Sequence, residues 1–236
     1  MKNKWFAYIK IFEDENCVQS SGITFNTFYN GICNKPHNIL ILKGYPDDAI
    51  MSKKLGLEFI PAEKVETFIN DDVYNYGDFS WVDFENAEQL DELSDDKLAE
   101  LLFFSHKAKP LKSNKIDGLG NKYAYYSHDD DWFVRVFVND VKEYLSVIKY
   151  KILTELKGRK RYIAPIPDDI SKQIYDLARE GVVVDFEDSY TTGVRLYKIG
   201  SVNNMDTIHA LLDKNRRNLN GLCLDYSTAS KKWRVY

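Results

Sequence analysis

The sequence predicts an α+β fold with a mostly antiparallel sheet and helices packed on it. Short apolar runs rich in β-branched and aromatic residues recur along the chain, and two pairs of them are close enough to form hairpins. Between them, apolar residues recur at helical spacing behind residues that favour helix caps. Hydrophobic residues make up 44% of the chain and charged residues 29%, which is typical of a packed globule.

The N-terminal part of the chain is predicted to contain strands and two short helices. Residues 5–12 are apolar and β-rich, and Thr24 precedes apolar residues spaced as on a helix. Residues 38–42 are apolar on both faces, as expected of a strand that is covered on both sides. A brief strand (57–60), a short helix (62–69) and an aromatic strand (76–84) follow.

The middle of the chain contains the clearest helical pattern. Ser94 is predicted to cap a helix with acidic residues in its first turn, and residues 123–126 and 132–138 are predicted to pair as a hairpin. Asn139 or Asp140 then caps a helix with a continuous apolar stripe. The stripe consists of Val141, Tyr144, Leu145, Ile148 and Ile152.

A domain boundary is predicted at residues 158–167, because a glycine, a basic run and prolines coincide there. It divides an N-terminal α+β domain, residues 1–157, from a smaller C-terminal α+β lobe, residues 162–236. One continuous domain stays open as the alternative. The lobe is predicted to contain a helix from Asp168 or Asp169 to Gly181, strands at 182–186 and 194–199, a helix starting near Met205, and a closing hairpin of residues 222–226 and 233–236.

Composition restricts the functional classes. The net charge of −4 disfavours nucleic acid and anionic membrane as partners. Cys17, Cys33 and Cys223 lack C-x-x-C spacing, which indicates a reducing compartment and neither a disulfide framework nor a cysteine-based zinc site. No apolar stretch approaches the roughly 18 residues of a membrane span. We therefore expect a cytoplasmic protein that does not enter a membrane.

One cluster has the composition of a catalytic or metal site. His128, Asp129 and Asp131 belong to a dense run of residues whose side chains bind divalent cations or act as general bases. The same residues favour a tight turn, which is the more economical interpretation. A metal-dependent hydrolase or nuclease-like enzyme is thus the alternative function. The signatures of dinucleotide, P-loop, α/β-hydrolase and zincin chemistry are missing from the sequence.

A second cluster has the composition of a protein-binding surface. Aromatic residues between positions 76 and 84 are interleaved with acidic residues, and the acidic run continues to residue 100 with Lys97 as its single base. Aromatic anchors ringed by negative charge steer and hold a basic partner, although a solvated helix face is the simpler explanation of the charges. The candidate contact residues are Phe79, Trp81, Asp83, Phe84, Glu85, Glu88, Asp91 and Glu92.

Residues 76–84, Tyr-Gly-Asp-Phe-Ser-Trp-Val-Asp-Phe, together with residues 123–132, resemble uncharacterised soluble bacterial proteins of unknown function. The resemblance covers about half of the chain and implies no activity. A short basic run at 159–161 is a weaker candidate for contact with phosphate.

The leading hypothesis is a non-enzymatic protein of the immunity or inhibitor type. It would bind another intracellular, basic protein through the acidic-aromatic surface, and it would need neither a cofactor nor a metal.

Overall fold

The computed structural model describes residues 6–43, 50–51, 58–70, 80–97, 99, 101, 116, 118–127, 133–157, 163–187, 193–218 and 220–236. The strands are β1 (Phe6–Phe12), β2 (Cys17–Ser21), β3 (Asn38–Lys43), β4 (Ile50–Met51), β5 (Glu58–Ile60), β6 (Ser80–Phe84), β7 (Tyr123–Ser127), β8 (Val134–Val138), β9 (Val182–Asp185), β10 (Gly193–Lys198), β11 (Leu222–Ser227) and β12 (Lys232–Val235). The helices are α1 (Phe25–Gly31), α2 (Ala62–Ile69), α3 (Ala87–Glu92), α4 (Tyr144–Lys157), α5 (Asp168–Glu180) and α6 (Met205–Asn218). Short 3₁₀ turns occupy Glu13–Glu15 and Val141–Glu143.

All described strands belong to one twelve-stranded sheet, in the order β12-β11-β10-β9-β1-β2-β8-β7-β6-β3-β5-β4. Every described pair of neighbours is antiparallel. The predicted α+β class with an antiparallel sheet is therefore confirmed.

Several predicted helix boundaries are confirmed by their capping contacts. The Thr24 hydroxyl accepts a hydrogen bond from the Thr27 backbone N–H at 3.1 Å, where α1 begins. The Asp140 carboxylate accepts one from the Lys142 backbone N–H at 2.9 Å, where the turn leading into α4 begins. Gly181 ends α5 with a φ of 92°, a conformation that glycine adopts without strain.

Helices cover both faces of the sheet. We call the first cluster the large core: it contains the buried side chains of α1, α2, α4 and α5 and the strand residues that face them, among them Ile39 and Ile41 of β3. The opposite face carries two smaller clusters. The α3 core contains Cys17, Leu40, Leu42, Val82, Phe84, Leu90, Leu93, Leu101, Ile116, Leu119, Ala124 and Phe137. The α6 core contains Phe6, Tyr8, Phe133, Val183, Tyr197, Val202, Met205, Ile208 and Leu212.

Alternate residues of β3 thus enter different cores, as the apolar character of residues 38–42 predicted.

On the face of the sheet that carries the large core, α1 and α4 approach each other closely at Gly31. A Cβ atom on Gly31 would lie 2.6 Å from the Cα atom of Val147. A side chain at this position would therefore push the two helices apart.

Strand β1 joins the two predicted domains. It pairs with β2 on one side and with β9 on the other. The large core likewise combines Ile148 of α4 with Ile174 of α5. The sheet and its main core therefore run through residues 1–157 and 162–236 without interruption in the described residues.

Strand β2 and helix α3 were not predicted. Strand β2 was not recognised because several of its residues are polar. Their side chains are nevertheless buried, since they form hydrogen bonds with residues that are distant in the sequence. The Ser20 hydroxyl lies 3.1 Å from the Tyr144 hydroxyl, and the Gln19 amide donates to the Val202 carbonyl at 3.0 Å. Such partners satisfy buried polar groups that would otherwise destabilise the sheet.

In the described parts of the chain, no helix combines the length and the apolar character that crossing a membrane requires.

Candidate interaction surface

The aromatic residues of the predicted acidic-aromatic surface lie in the interior. Trp81 and Phe84 of β6 are both 0% exposed. The Trp81 ring stacks on Tyr125, with 5.4 Å between ring centroids and an interplanar angle of 9°. The Phe84 ring packs edge-on against Phe59, with 5.6 Å between centroids. Phe79 lies outside the described residues.

Asp83 is buried as well, with 3% of its surface exposed. Its carboxylate accepts hydrogen bonds from the backbone N–H groups of Tyr123 at 2.6 Å and Lys122 at 2.9 Å. The expectation that Trp81, Asp83 and Phe84 contact a partner needs correction. Strand β6 lies between β3 and β7, and helices cover both of its faces.

The acidic members of the predicted surface, in contrast, are exposed: Glu85, Glu88, Asp91 and Glu92. Helix α3 positions them. The Gln89 side chain accepts the backbone N–H of Asn86 at 2.9 Å and that of Glu85 at 3.2 Å, which fixes the start of the helix. Leu90 is 1% exposed and anchors α3 in the α3 core. Burial of this one face turns the carboxylates towards solvent.

The strand directions bring further carboxylates to the same end of the sheet. Strands β1, β8 and β6 run in the same direction, because each is separated from the next by one antiparallel strand. The segments that follow them therefore meet at one end. These segments are Glu13–Glu15 after β1, residues 139–143 after β8, and residue 85 onwards after β6.

We call this region the acidic end of the sheet. It consists of Glu13, Asp14, Glu15, Glu85, Glu88, Asp91, Glu92, Asp140 and Glu143. Two cations offset part of the charge. Arg179 forms an ion pair with Glu13 at 2.7 Å, and Lys122 forms one with Glu85 at 3.7 Å. Lys142 is also exposed there. The carboxylates outnumber these cations, so the region is negative overall.

Two tyrosines contact carboxylates in the segments that follow β1 and β8. The Tyr175 hydroxyl of α5 donates to Glu13 at 2.8 Å. Its pKa is raised to about 12, first by burial, then by Glu13 and, more weakly, by Asp140. The Tyr123 hydroxyl donates to the Asn34 carbonyl at 2.7 Å and contacts Glu143 at 3.3 Å.

Burial is also the main cause of a raised pKa at Tyr123, with Glu143 and Asp83 contributing. Both phenols therefore stay neutral. The Tyr175 hydroxyl holds Glu13 in position, and the Asn34 side-chain amide, which donates to Glu143 at 3.0 Å, does the same for Glu143.

The other predicted sites cannot be placed. His128, Asp129 and Asp131 lie outside the described residues, as does the basic run at 159–161. Within the described ranges, no group of three or more histidine, cysteine, aspartate and glutamate side chains is arranged to hold a metal ion. The hydrolase alternative at residues 128–131 thus stays a prediction.

Sequence reasoning missed Glu13, Asp14, Glu15, Asp140 and Glu143 as members of this region. Their charge is visible in the sequence, but their position at the same end of the sheet as α3 depends on which strands pair. The sequence does indicate two of these segments, because acidic residues closely follow the ends of the apolar strands at Phe12 and at Val138.

Comparison of the chain with protein-family models, with curated proteins and with solved structures found no match. The resemblance to uncharacterised bacterial proteins stays a prediction, and functional inference rests on the geometry of the chain itself.

Proposed function

We propose that this chain is a non-enzymatic, intracellular binding protein of the immunity or inhibitor type, which covers a basic surface of another protein with the acidic end of its sheet. The observation that supports the proposal is the convergence of exposed carboxylates from three separate segments at one end of the sheet. Clustered charge of one sign accelerates encounter with an oppositely charged partner and rejects partners of like charge.

The acidic end is also held in position before any partner arrives. Glu13 accepts a hydrogen bond from Tyr175, Glu143 contacts Tyr123, and α3 is anchored through Leu90. A preformed surface loses little conformational entropy on binding. This arrangement favours a rigid docking surface over a flexible acidic tail.

Binding of a natural partner should depend on the carboxylates of α3 and its preceding residue. The test variant replaces three exposed side chains, Glu85→Gln, Glu88→Gln and Glu92→Gln. Affinity capture from native lysate, with quantitative mass spectrometry, should recover one basic protein in near-stoichiometric amount with the unmodified chain. The triple variant should bind that protein between about threefold and about a hundredfold more weakly, because each exposed charge pair contributes about 0.2–1 kcal/mol.

The matched control removes three exposed carboxylates elsewhere, by Asp168→Asn, Asp169→Asn and Asp206→Asn at the starts of α5 and α6. Both variants carry the same net charge, so a general charge effect would weaken them equally. Retention of the partner by the control and its loss by the test variant support the proposal. Equal retention by both, or no stoichiometric protein at all, would contradict it.

A further inference from the structure

Strand β1 has an open half-edge. On one side its residues 8–12 pair with β2. On the other side only residues 6–9 pair with β9, which begins at Val182. No described strand therefore lies beside residues 10–12 on that side. Successive residues of a strand direct their N–H and C=O groups to opposite edges, so at least one of these three residues presents its backbone groups to the open side.

An open depression lies at this half-edge. Its volume is about 630 Å³, and it lies between the end of β1, the turn Glu13–Glu15 and the last turns of α5. Three residues of an extended chain span roughly 10 Å, which is compatible with a depression of this size. Its lining includes residues 10–12 of β1, so the depression lies where a strand added to this half-edge would be placed.

The residues that line the depression favour a positively charged occupant. Five carboxylates line the depression, those of Glu13, Asp14, Glu15, Asp176 and Glu180, against the two cations Lys10 and Arg179. Arg179 is engaged by Glu13 at 2.7 Å and lies 4.0 Å from Asp176, and Glu180 is paired with Lys198. Among the described residues, no ion pair involves Asp14 or Glu15. A cationic side chain in the depression would thus meet an excess of negative charge.

The C-terminal end of α5 also favours a positively charged occupant. The last carbonyl groups of a helix carry partial negative charge and attract cations. The Lys10 ammonium group already donates a hydrogen bond to the Arg179 carbonyl in this last turn. The chain itself shows that a lysine side chain fits against this helix end.

We propose that the depression binds an extended, lysine- or arginine-rich segment of the protein partner, which adds to the sheet as a strand beside residues 10–12 of β1. Main-chain hydrogen bonds to β1 provide affinity, and the surrounding carboxylates select alternate basic side chains. This inference rests on the proposed function, since it specifies how a basic partner is held. It adds a second contact at the acidic end, separate from α3.

The test uses a synthetic peptide of roughly nine residues, capped at both ends, in which lysine and valine alternate. Binding to the isotope-labelled full-length protein is followed by NMR. The peptide should shift the amide resonances of residues 10–15 and 176–181 most strongly. A peptide with glutamate in place of lysine should not bind. A lysine peptide N-methylated at alternate residues on its pairing edge should bind about tenfold more weakly, because it lacks the main-chain donors.

Two variants locate the contact. Asp14→Asn, Glu15→Gln and Asp176→Asn together should weaken binding of the lysine peptide about tenfold, whereas Glu85→Gln, Glu88→Gln and Glu92→Gln should change it less than about twofold. Failure to saturate at about 1 mM peptide, shifts centred on α3, or equal binding of the N-methylated peptide would each overturn the inference. The capture experiment with the natural partner does not depend on these outcomes, so the proposed function can survive failure of the strand-addition mode.

Discussion

At the end of β6, the side chain of Asp83 replaces the backbone pairing between β6 and β7. The described pairing of β6 with β7 runs from Trp81↔Tyr125 to Val82↔Ala124. Beyond it, the Asp83 carboxylate accepts the next two backbone N–H groups, those of Tyr123 and Lys122. Burial raises the pKa of Asp83 to about 6, although these two hydrogen bonds lower it. The carboxylate is thus costly to ionise where it lies.

Ionisation of Asp83 should make stability depend on pH. Because its pKa is raised on folding, the protonated carboxyl stabilises the native state fully below about pH 4, and this stabilisation is lost as the pH rises through 6. The shift of about two units corresponds to about 3 kcal/mol. In Asp83→Asn, which cannot ionise, the fall in the free energy of unfolding between pH 4 and pH 7 should be smaller by about this amount, measured by urea denaturation.

Glu85→Gln is the matched control for Asp83→Asn, because Glu85 is exposed two residues further along the chain. The fall in the free energy of unfolding between pH 4 and pH 7 should be smaller in Asp83→Asn than in this control. If Asp83→Asn and the unmodified chain showed the same pH dependence, the assignment of the transition to Asp83 would be wrong.

Helix α6 is attached to β9 by an ion pair between Arg216 and the buried carboxylate of Asp185. The Arg216 guanidinium donates to both oxygens of Asp185, at 2.6 and 2.7 Å, and also contacts Glu187. Asp185 is 2% exposed, so its charge has little access to water. A buried carboxylate that loses its partner is strongly destabilising.

Arg216→Met should therefore lower the free energy of unfolding by about 3 kcal/mol, measured by chemical denaturation. Arg217→Met, at the next and exposed position, should change it by less than about 0.5 kcal/mol. Adding Asp185→Asn to Arg216→Met should recover part of the loss, because the buried charge is then removed. Equal effects of the two arginine substitutions would show that the ion pair does not stabilise α6.

The same elements show what the sequence could predict. Helices α1, α4 and α5 were predicted because caps and apolar stripes are local signals, as at Thr24 and Asp140. Strand β2 was missed because Ser20 and Gln19 are satisfied by partners more than 100 residues away. For the candidate surface, composition identified the exposed acids of α3. It placed Trp81 and Phe84 wrongly, because aromatic residues suit a buried strand as well as an interface.

On the scale of the whole molecule, β1 is the element that unites the chain. It contributes to the large core through Ile9 and to the α6 core through Tyr8. Separation of residues 1–157 from residues 162–236 would expose the edge of β1 that β9 covers, and with it the edge of β9. Exposed strand edges of this kind promote aggregation.

We therefore expect the chain to unfold in one cooperative transition. Far-UV and near-UV circular dichroism should give coincident denaturation curves. Residues 162–236 expressed alone should lack the sharp near-UV signal of a packed core, since their helix α5 packs on β1. Two separate transitions, or a folded fragment 162–236, would establish the two domains that the sequence predicts.

The central position of β1 also has a consequence for biosynthesis. Ile9 pairs with Val182, so the ribosome must add 173 residues after Ile9 before this contact is possible. At about 5–20 residues per second this delay lasts roughly 10–30 s. The hairpin partner β2, in contrast, follows almost immediately. During the interval the nascent chain carries an uncovered strand edge, and a chaperone or a neighbouring nascent chain can occupy the place that β9 takes later.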